Sequence, residues 1–425
     1  MAVSCYTAAV LERCCFSKKT GVYLLCKSTI LRIGKQDMKN KQQDVQGSVK
    51  EDLINLLRGS LLQDTAPSDV HLTPEKFDAL LKLAKKHEVQ PIAAYALLFT
   101  GGLTDEQEQR CRKLVYTAMV YHQRMDQELQ RICALLEAAG FDYMPLKGAV
   151  IRNLYPEPWM RTSGDIDILV KNVDEAADLL VERGYVRGEK SAHDITLTSP
   201  GGIQIELHYL LIEKQRQVND LLKQVWEYAI PRTGSRHYEL KPEMLYYYHI
   251  VHMAKHMLLG GCGIRFFMDT WLLNKTLPLD EEKKRQLLQE GGMAAFAQQA
   301  EHLGQVWFGD RQPNPVTLEL EAFILNGGVF GSKSNEIKLR RTKANTLVKF
   351  LFLRIFPPYK RMAIAFPVLE KYPFLLPVFW IRRWSRLLLK DGKRRSAVQE
   401  LTLNQKTDDV DVAATKWLFE ELELL

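Results

Sequence analysis

Along the first two thirds of the chain the apolar positions change period several times. From Val49 to Gly140 they recur at helical spacing: Leu53, Leu56 and Leu57, then Leu80, Leu81 and Leu83, then Ile132, Leu135 and Leu136. Ser68 and Thr73-Pro74-Glu75 supply helix-start chemistry, and Gly140 suits the C-cap of the last long helix. Phe141 to Lys147 turns extended, and Gly148 to Tyr155 reads as a short helix. After a loop from Pro156 to Gly164, Asp165-Ile166-Asp167-Ile168-Leu169-Val170 reads as a strand. Alternation puts Asp165 and Asp167 on one face and Ile166, Ile168 and Val170 on the other. Val173 to Gly184 is helical again, and a hairpin follows: Asp194 to Thr198, the turn Pro200-Gly201-Gly202, and Ile203 to His208. In its second strand Ile203, Ile205 and Leu207 share the buried face, while Gln204, Glu206 and His208 share the other. From Pro242 to about Leu325 the pattern is helical.

At 425 residues with 46% apolar content, the chain can form two or three folded units. The expected divisions are a disordered extension at 1–40, a helical region at 41–140, a strand-containing core at 141–235, a helical domain at 236–330, a basic, aromatic-rich region at 331–400 and a tail at 401–425. The formal charge of +7 is unevenly spread. Residues 331–395 hold 17 Lys and Arg against Glu336, Glu370 and Asp391, a balance of +14 that leaves −7 elsewhere. Any nucleic-acid or membrane argument therefore belongs to that region. Its aromatics, among them Phe356, Phe366, Phe374, Phe379, Trp380 and Trp384, are expected to pack on the core while the basic side chains stay solvated. The alternative is attachment to an anionic membrane surface. No window offers the roughly 18 apolar residues of a membrane span. A cytoplasmic location is expected, peripheral to the inner membrane face if that alternative holds. Seven cysteines include no CxxC pair and no histidine at zinc-finger spacing, which argues against a disulfide framework or a structural zinc. Four lie in the first 26 residues, where neither an amphipathic period nor a signal-peptide core is present. Residues 1–37 are expected to lie outside the fold, as an over-extended start with Met38 the ordinary beginning.

Two carboxylates side by side repel unless a cation sits between them, and a hard divalent ion such as Mg²⁺ suits the oxygens of Asp165 and Asp167. Taken alone, an Asp-x-Asp is an exposed strand face, and Glu206 alone is a solvated strand residue; the weight comes from their ensemble. Gly148 would let the backbone approach a phosphate closely, and first-turn amides favour an anion. Lys147 and Arg161 taken singly would pair with a local carboxylate. His249, His252 and His256 form one helical stripe among Tyr246, Tyr247, Tyr248, Met253 and Met257, which reads as histidines hydrogen-bonded between helices, with Asp269 as a partner. His193 reads as a turn residue.

Strand, Gly and helix, then Gly-Asp-x-Asp on a strand, then Glu206 on a later strand together resemble the DNA-polymerase-β-type nucleotidyltransferase superfamily. Leu146-Lys147-Gly148, Leu154-Tyr155-Pro156, Arg161, Asp165-Ile166-Asp167, Glu206-Leu207-His208 and the His252 to Asp269 segment resemble the bacterial family of uncharacterised nucleotidyltransferases. The likeness implies an α+β fold with a small mixed-sheet nucleotidyltransferase core between helical regions. It implies two Mg²⁺ ions, or Mn²⁺, on Asp165 and Asp167 with Glu206 as third carboxylate, and an NTP whose NMP passes to a hydroxyl. Gly148 and the next amide, at Ala149, would hold phosphates, with charge from Lys147 or Arg161; His208 would orient a carboxylate or contact substrate. Ala149 stands where the superfamily has serine, which removes one phosphate contact. The acceptor is a sugar, protein, RNA or small molecule. Two other classes carry the same residues: a glycosyltransferase using the Asp-x-Asp for a sugar nucleotide, which needs a larger α/β domain before the motif, and a non-catalytic nucleotide-binding or membrane-surface protein.

Overall fold

The computed structural model describes residues 48–63, 72–211, 216–329, 331–344, 356–389 and 407–425. The expectations for residues 1–37 and for Ser68 lie outside them. Before the sheet the described residues are helical: α1 (48–62), α2 (Pro74–Lys86), α3 (Gln90–Leu97) and α4 (Asp105–Ala138). The α/β domain that a sugar-nucleotide enzyme needs ahead of the motif is not among them. The Thr73 hydroxyl accepts from the Lys76 amide at 3.3 Å to start α2. Thr104 and Gln107 form a reciprocal capping box for the 34-residue α4, which ends where Gly140 takes φ 77°.

A five-stranded mixed sheet follows, built from β1 (Tyr143–Pro145), β2 (Asp165–Val170), β3 (Val186–Lys190), β4 (Asp194–Thr198) and β5 (Gln204–His208) in the order β1-β2-β5-β4-β3. Only β2 and β5 run parallel. The short α5 (Gly148–Ile151) joins β1 to β2, and α6 (Val173–Glu182) follows β2. Ile166, Ile168, Ile205 and Leu207 bury one sheet face against Met125 and Ile132 of α4 and Ala177 and Leu180 of α6. The sequence pattern missed β3 because all five of its residues are exposed, so no alternation marks it.

Beyond α7 (Arg216–Lys223) and the hairpin β6 (Ala229–Pro231) and β7 (Tyr238–Leu240) come α8 (Pro242–Leu258), α9 (Ile264–Thr276), α10 (Glu281–Glu290), α11 (Ala294–Phe308), α12 (Pro315–Gly327) and α13 (Lys333–Ala344). These helices and the lead-in helices share a larger core that includes Leu53, Leu80, Tyr246, Phe267 and Phe296. Toward the C-terminus lie α14 (Tyr359–Ala365), α15 (Val368–Lys371), α16 (Leu376–Leu389) and α17 (Asp409–Glu421). Within the expected tail, α17 buries Leu418 and Phe419 in the larger core, with Phe419 against Phe323 at 5.3 Å. The aromatics of the basic region behave otherwise. Phe356 meets Trp380 and Trp384, and Phe366 meets Phe379, in a cluster separate from both larger cores. Packing on the core is therefore corrected to packing among themselves for these five, while Phe374 stays exposed. No helix among the described residues is long and apolar enough to cross a membrane.

Candidate active site

The polar face of β2 and β5 lies opposite the α4 and α6 layer. Parallel pairing sets Asp167 level with Glu206 and Asp165 level with Gln204, so both aspartates and Glu206 share one face, as strand period demands. All three line a cleft of about 390 Å³ with Lys147, Gly148, Arg161, Ser163, His193 and Asp194. The facing wall comes from the helical body: Tyr248, His249, His252, Lys255 and His256 of α8, and Arg265 and Phe266 of α9.

Asp167 is the focus. It is 4% exposed, and its Oδ1 accepts from Lys147 Nζ at 2.7 Å and lies 2.8 Å from His208 Nε2. His208 Nε2 also lies 3.4 Å from Glu206 Oε2. Burial alone would raise the Asp167 carboxyl, yet the Lys147 charge and the His208 contact hold it well below the usual range. Lys147 is raised well above its ordinary value: burial opposes its charge, but Asp167 outweighs that. His208 is also raised, since its contacts with Asp167 and Glu206 overcome burial. Asp165 goes the other way, lifted to about 6 by burial and then by the neighbouring Asp167. The donor atoms of Asp167, Glu206 and His208 lie within 4.8 Å of one another. In an octahedral ion with bonds of about 2.1 Å, adjacent donors are about 3 Å apart, close to the 2.8 and 3.4 Å separations of His208 Nε2 from Asp167 and Glu206, so with His208 neutral this mixed oxygen and nitrogen set could hold a divalent cation. A nitrogen in the set also suits Mn²⁺.

Lys147 reaches Asp167 from a strained backbone, φ 43° and ψ −114°, a region that side-chain-bearing residues rarely occupy. Gly148 follows because nothing larger fits: a Cβ there would stand 2.8 Å from Arg161 Nη1 and 3.0 Å from Ser163 Cβ. Ala149 is buried and gives its N–H to Leu146 O at 3.1 Å. The amides of Val150 and Ile151 turn back to Lys147 O. The phosphate cradle expected from the amides after Gly148 is thus largely spent within the turn.

Arg161 lines the cleft but spends its Nε and Nη2 on Asp269, at 2.9 and 2.8 Å, both partners being nearly inaccessible. The Tyr155 hydroxyl donates to Asp269 Oδ1 at 2.7 Å. Asp269 therefore serves Arg161 and Tyr155, whereas His249 Nε2 meets Phe266 O and Thr270 Oγ1 at 3.1 and 3.0 Å. Burial drives His249 down to about 4, so it is neutral. His252 and His256 flank Phe266 at 5.8 and 5.0 Å and line the cleft. Arg152, buried and held near 10 by burial and by Arg161, bonds Gly148 O at 2.7 Å and Ser163 Oγ at 2.9 Å. Sequence reasoning missed Arg152, Tyr248, Lys255 and Arg265 as cleft or support residues. His193, read as a turn residue, stacks with His208 at a centroid distance of 6.1 Å.

A family model described as uncharacterised nucleotidyltransferase matches residues 73–309, more than half of the chain and all of the cleft except Val329. No curated protein and no solved structure matches the chain.

Proposed function

From the premise that this chain belongs to the uncharacterised nucleotidyltransferase family, we propose that it moves an NMP from an NTP to a hydroxyl of an acceptor, with Mg²⁺ or Mn²⁺ bound at the carboxylate face. The observation that carries this reading is the parallel register of β2 and β5, which sets Asp167 beside Glu206 with Asp165 on the same face of one cleft. Asp165, Asp167 and Glu206 would hold two divalent ions, and His208 would lend a nitrogen donor or steady Asp167. Those ions, when bound, would screen the phosphates and stabilise charge on the leaving pyrophosphate.

The chain's own residues account for the rest. Gly148 lets Arg161 and Ser163 pack against the turn from which Lys147 reaches Asp167. Lys147, Lys255 and Arg265 bring cationic groups to both walls, Lys147 beside Asp167 and Arg265 beside Glu88, where a polyanionic donor and its ions would meet them. The acceptor oxygen attacks the α-phosphorus, the bond from that phosphorus to the β-phosphate oxygen breaks, and the electron pair leaves with pyrophosphate. Glu206, which lines the cleft with its side chain 32% exposed, takes the hydroxyl proton on the oxygen it does not give to an ion. The test is transfer of α-³²P label from each NTP to cell extract, with and without Mg²⁺. Label should be incorporated by the native protein and lost with Asp167→Asn while circular dichroism is unchanged; incorporation by a folded Asp167→Asn protein would overturn the assignment.

A further inference from the structure

We propose that residues 356–384 form a surface that lies on an anionic lipid bilayer. Phe374, Val378 and Ile381 are 75%, 57% and 62% exposed. Spaced four and three residues apart along α16 and the turn before it, they make one apolar stripe open to water. Tyr372 at 40% and Val368 at 44% widen it. These are not residues for which the local fold lacks a core. Met362, Leu369 and Phe379 are buried in the same unit, with Trp380 half-buried against them; its Nε1 donates to Pro357 O at 3.0 Å, and the Tyr359 hydroxyl donates to Leu369 O at 3.1 Å. The small unit therefore has an inside, and the stripe is on its outside.

Charge selects the occupant. Residues 356–384 contain Lys360, Arg361, Lys371, Arg382 and Arg383 against Glu370 alone, and Lys360, Lys371 and Arg382 are exposed. Large apolar groups beside exposed cations are the pattern of a segment resting at the headgroup boundary of an acidic membrane. A second copy of the chain would bring like charges together around the stripe. A nucleic acid would satisfy the cations but leave Phe374 and Ile381 in water. Since no described helix can span the bilayer, the contact is peripheral.

The experiment is flotation of the full chain with vesicles of phosphatidylcholine alone or mixed with phosphatidylglycerol. The native chain should float with the mixed vesicles and far less with phosphatidylcholine. Phe374→Ser/Ile381→Ser should cut the partition coefficient at least about tenfold, and Lys371→Gln/Arg382→Gln should weaken it and flatten its salt dependence. All four positions are exposed, so near-ultraviolet circular dichroism should stay unchanged. A native chain that stays at the bottom, equal partition into both vesicle types, or an apolar variant that floats like the native chain would each overturn the proposal. So would a lipid-free dimer in sedimentation velocity that Phe374→Ser/Ile381→Ser abolishes, which would give the face to a second copy.

Discussion

Two partners converge on one oxygen of Asp167, Lys147 Nζ at 2.7 Å and His208 Nε2 at 2.8 Å. A divalent ion that takes this oxygen must displace at least one of them. Lys147→Met should therefore tighten Mn²⁺ binding without nucleotide by about tenfold, measured by titration calorimetry; equal or weaker affinity would show that the ammonium does not compete. Asp165 offers a pH test. Its folded-state carboxyl sits at about 6, above the ordinary value near ~3.9, so it favours the protonated form. That contribution to stability is complete below the unfolded value and is lost as pH rises through the folded one. Buried His249, driven down to about 4, acts in the opposite sense, so the informative quantity is a difference between proteins. Asp165→Asn should stabilise the metal-free protein hardly at all at pH 4 and by about 2 kcal/mol at pH 8, read by denaturant unfolding in chelator. A gain that shrinks with pH would contradict the assignment. Asp165, Asp167 and Glu206 were legible because strand alternation alone decides which face each joins. The backbone of Lys147 was not, since nothing about lysine predicts a positive φ.

Among the elements, the turn that begins α5 is the least tolerant. Gly148 is hemmed in by Arg161 Nη1 and Ser163 Cβ, and Arg161 cannot yield because Asp269 holds it. Gly148→Ala should cost about 1–3 kcal/mol, checked by urea unfolding; a change within about 0.5 kcal/mol would mean that the turn relaxes. The β4 and β5 hairpin, the capping signals at Thr73 and Gly140, and the helices from Pro242 onward could be read from the sequence because their determinants are local. β3 could not, with Val-Arg-Gly-Glu-Lys fully exposed, nor could the short β6 and β7, whose three residues each give a periodic pattern no room.

At the scale of the whole molecule, the segment leading into the five-stranded sheet and the helical body are joined by Arg161 and Asp269, separated by 108 positions in the chain. Such a distance explains why the sequence reading gave Arg161 to phosphate and Asp269 to the histidine stripe: each charge was visible and the pairing was not. Arg161→Met should cost about 3–5 kcal/mol because it strands a buried carboxylate, while Arg161→Met/Asp269→Leu should recover most of that loss. Urea unfolding of the pair of variants checks it, and a double variant no more stable than the single one would refute the account.

The same ion pair, with Tyr155 added, also ties the segment before β2 to α9 beside the cleft. Enzymes that shut over their substrates keep water away from the reactive phosphorus until the right acceptor arrives. Among the described residues this pairing, and no separate lid, stands at the root of the cleft. Solvent should then compete as an acceptor, and the protein should slowly hydrolyse an NTP to NMP and pyrophosphate on its own. Pyrophosphate release measured with NTP and Mn²⁺ alone would detect this leak, giving a way to follow turnover before the true acceptor is known; a rate no higher than that of Asp167→Asn would mean that water is kept out by other means.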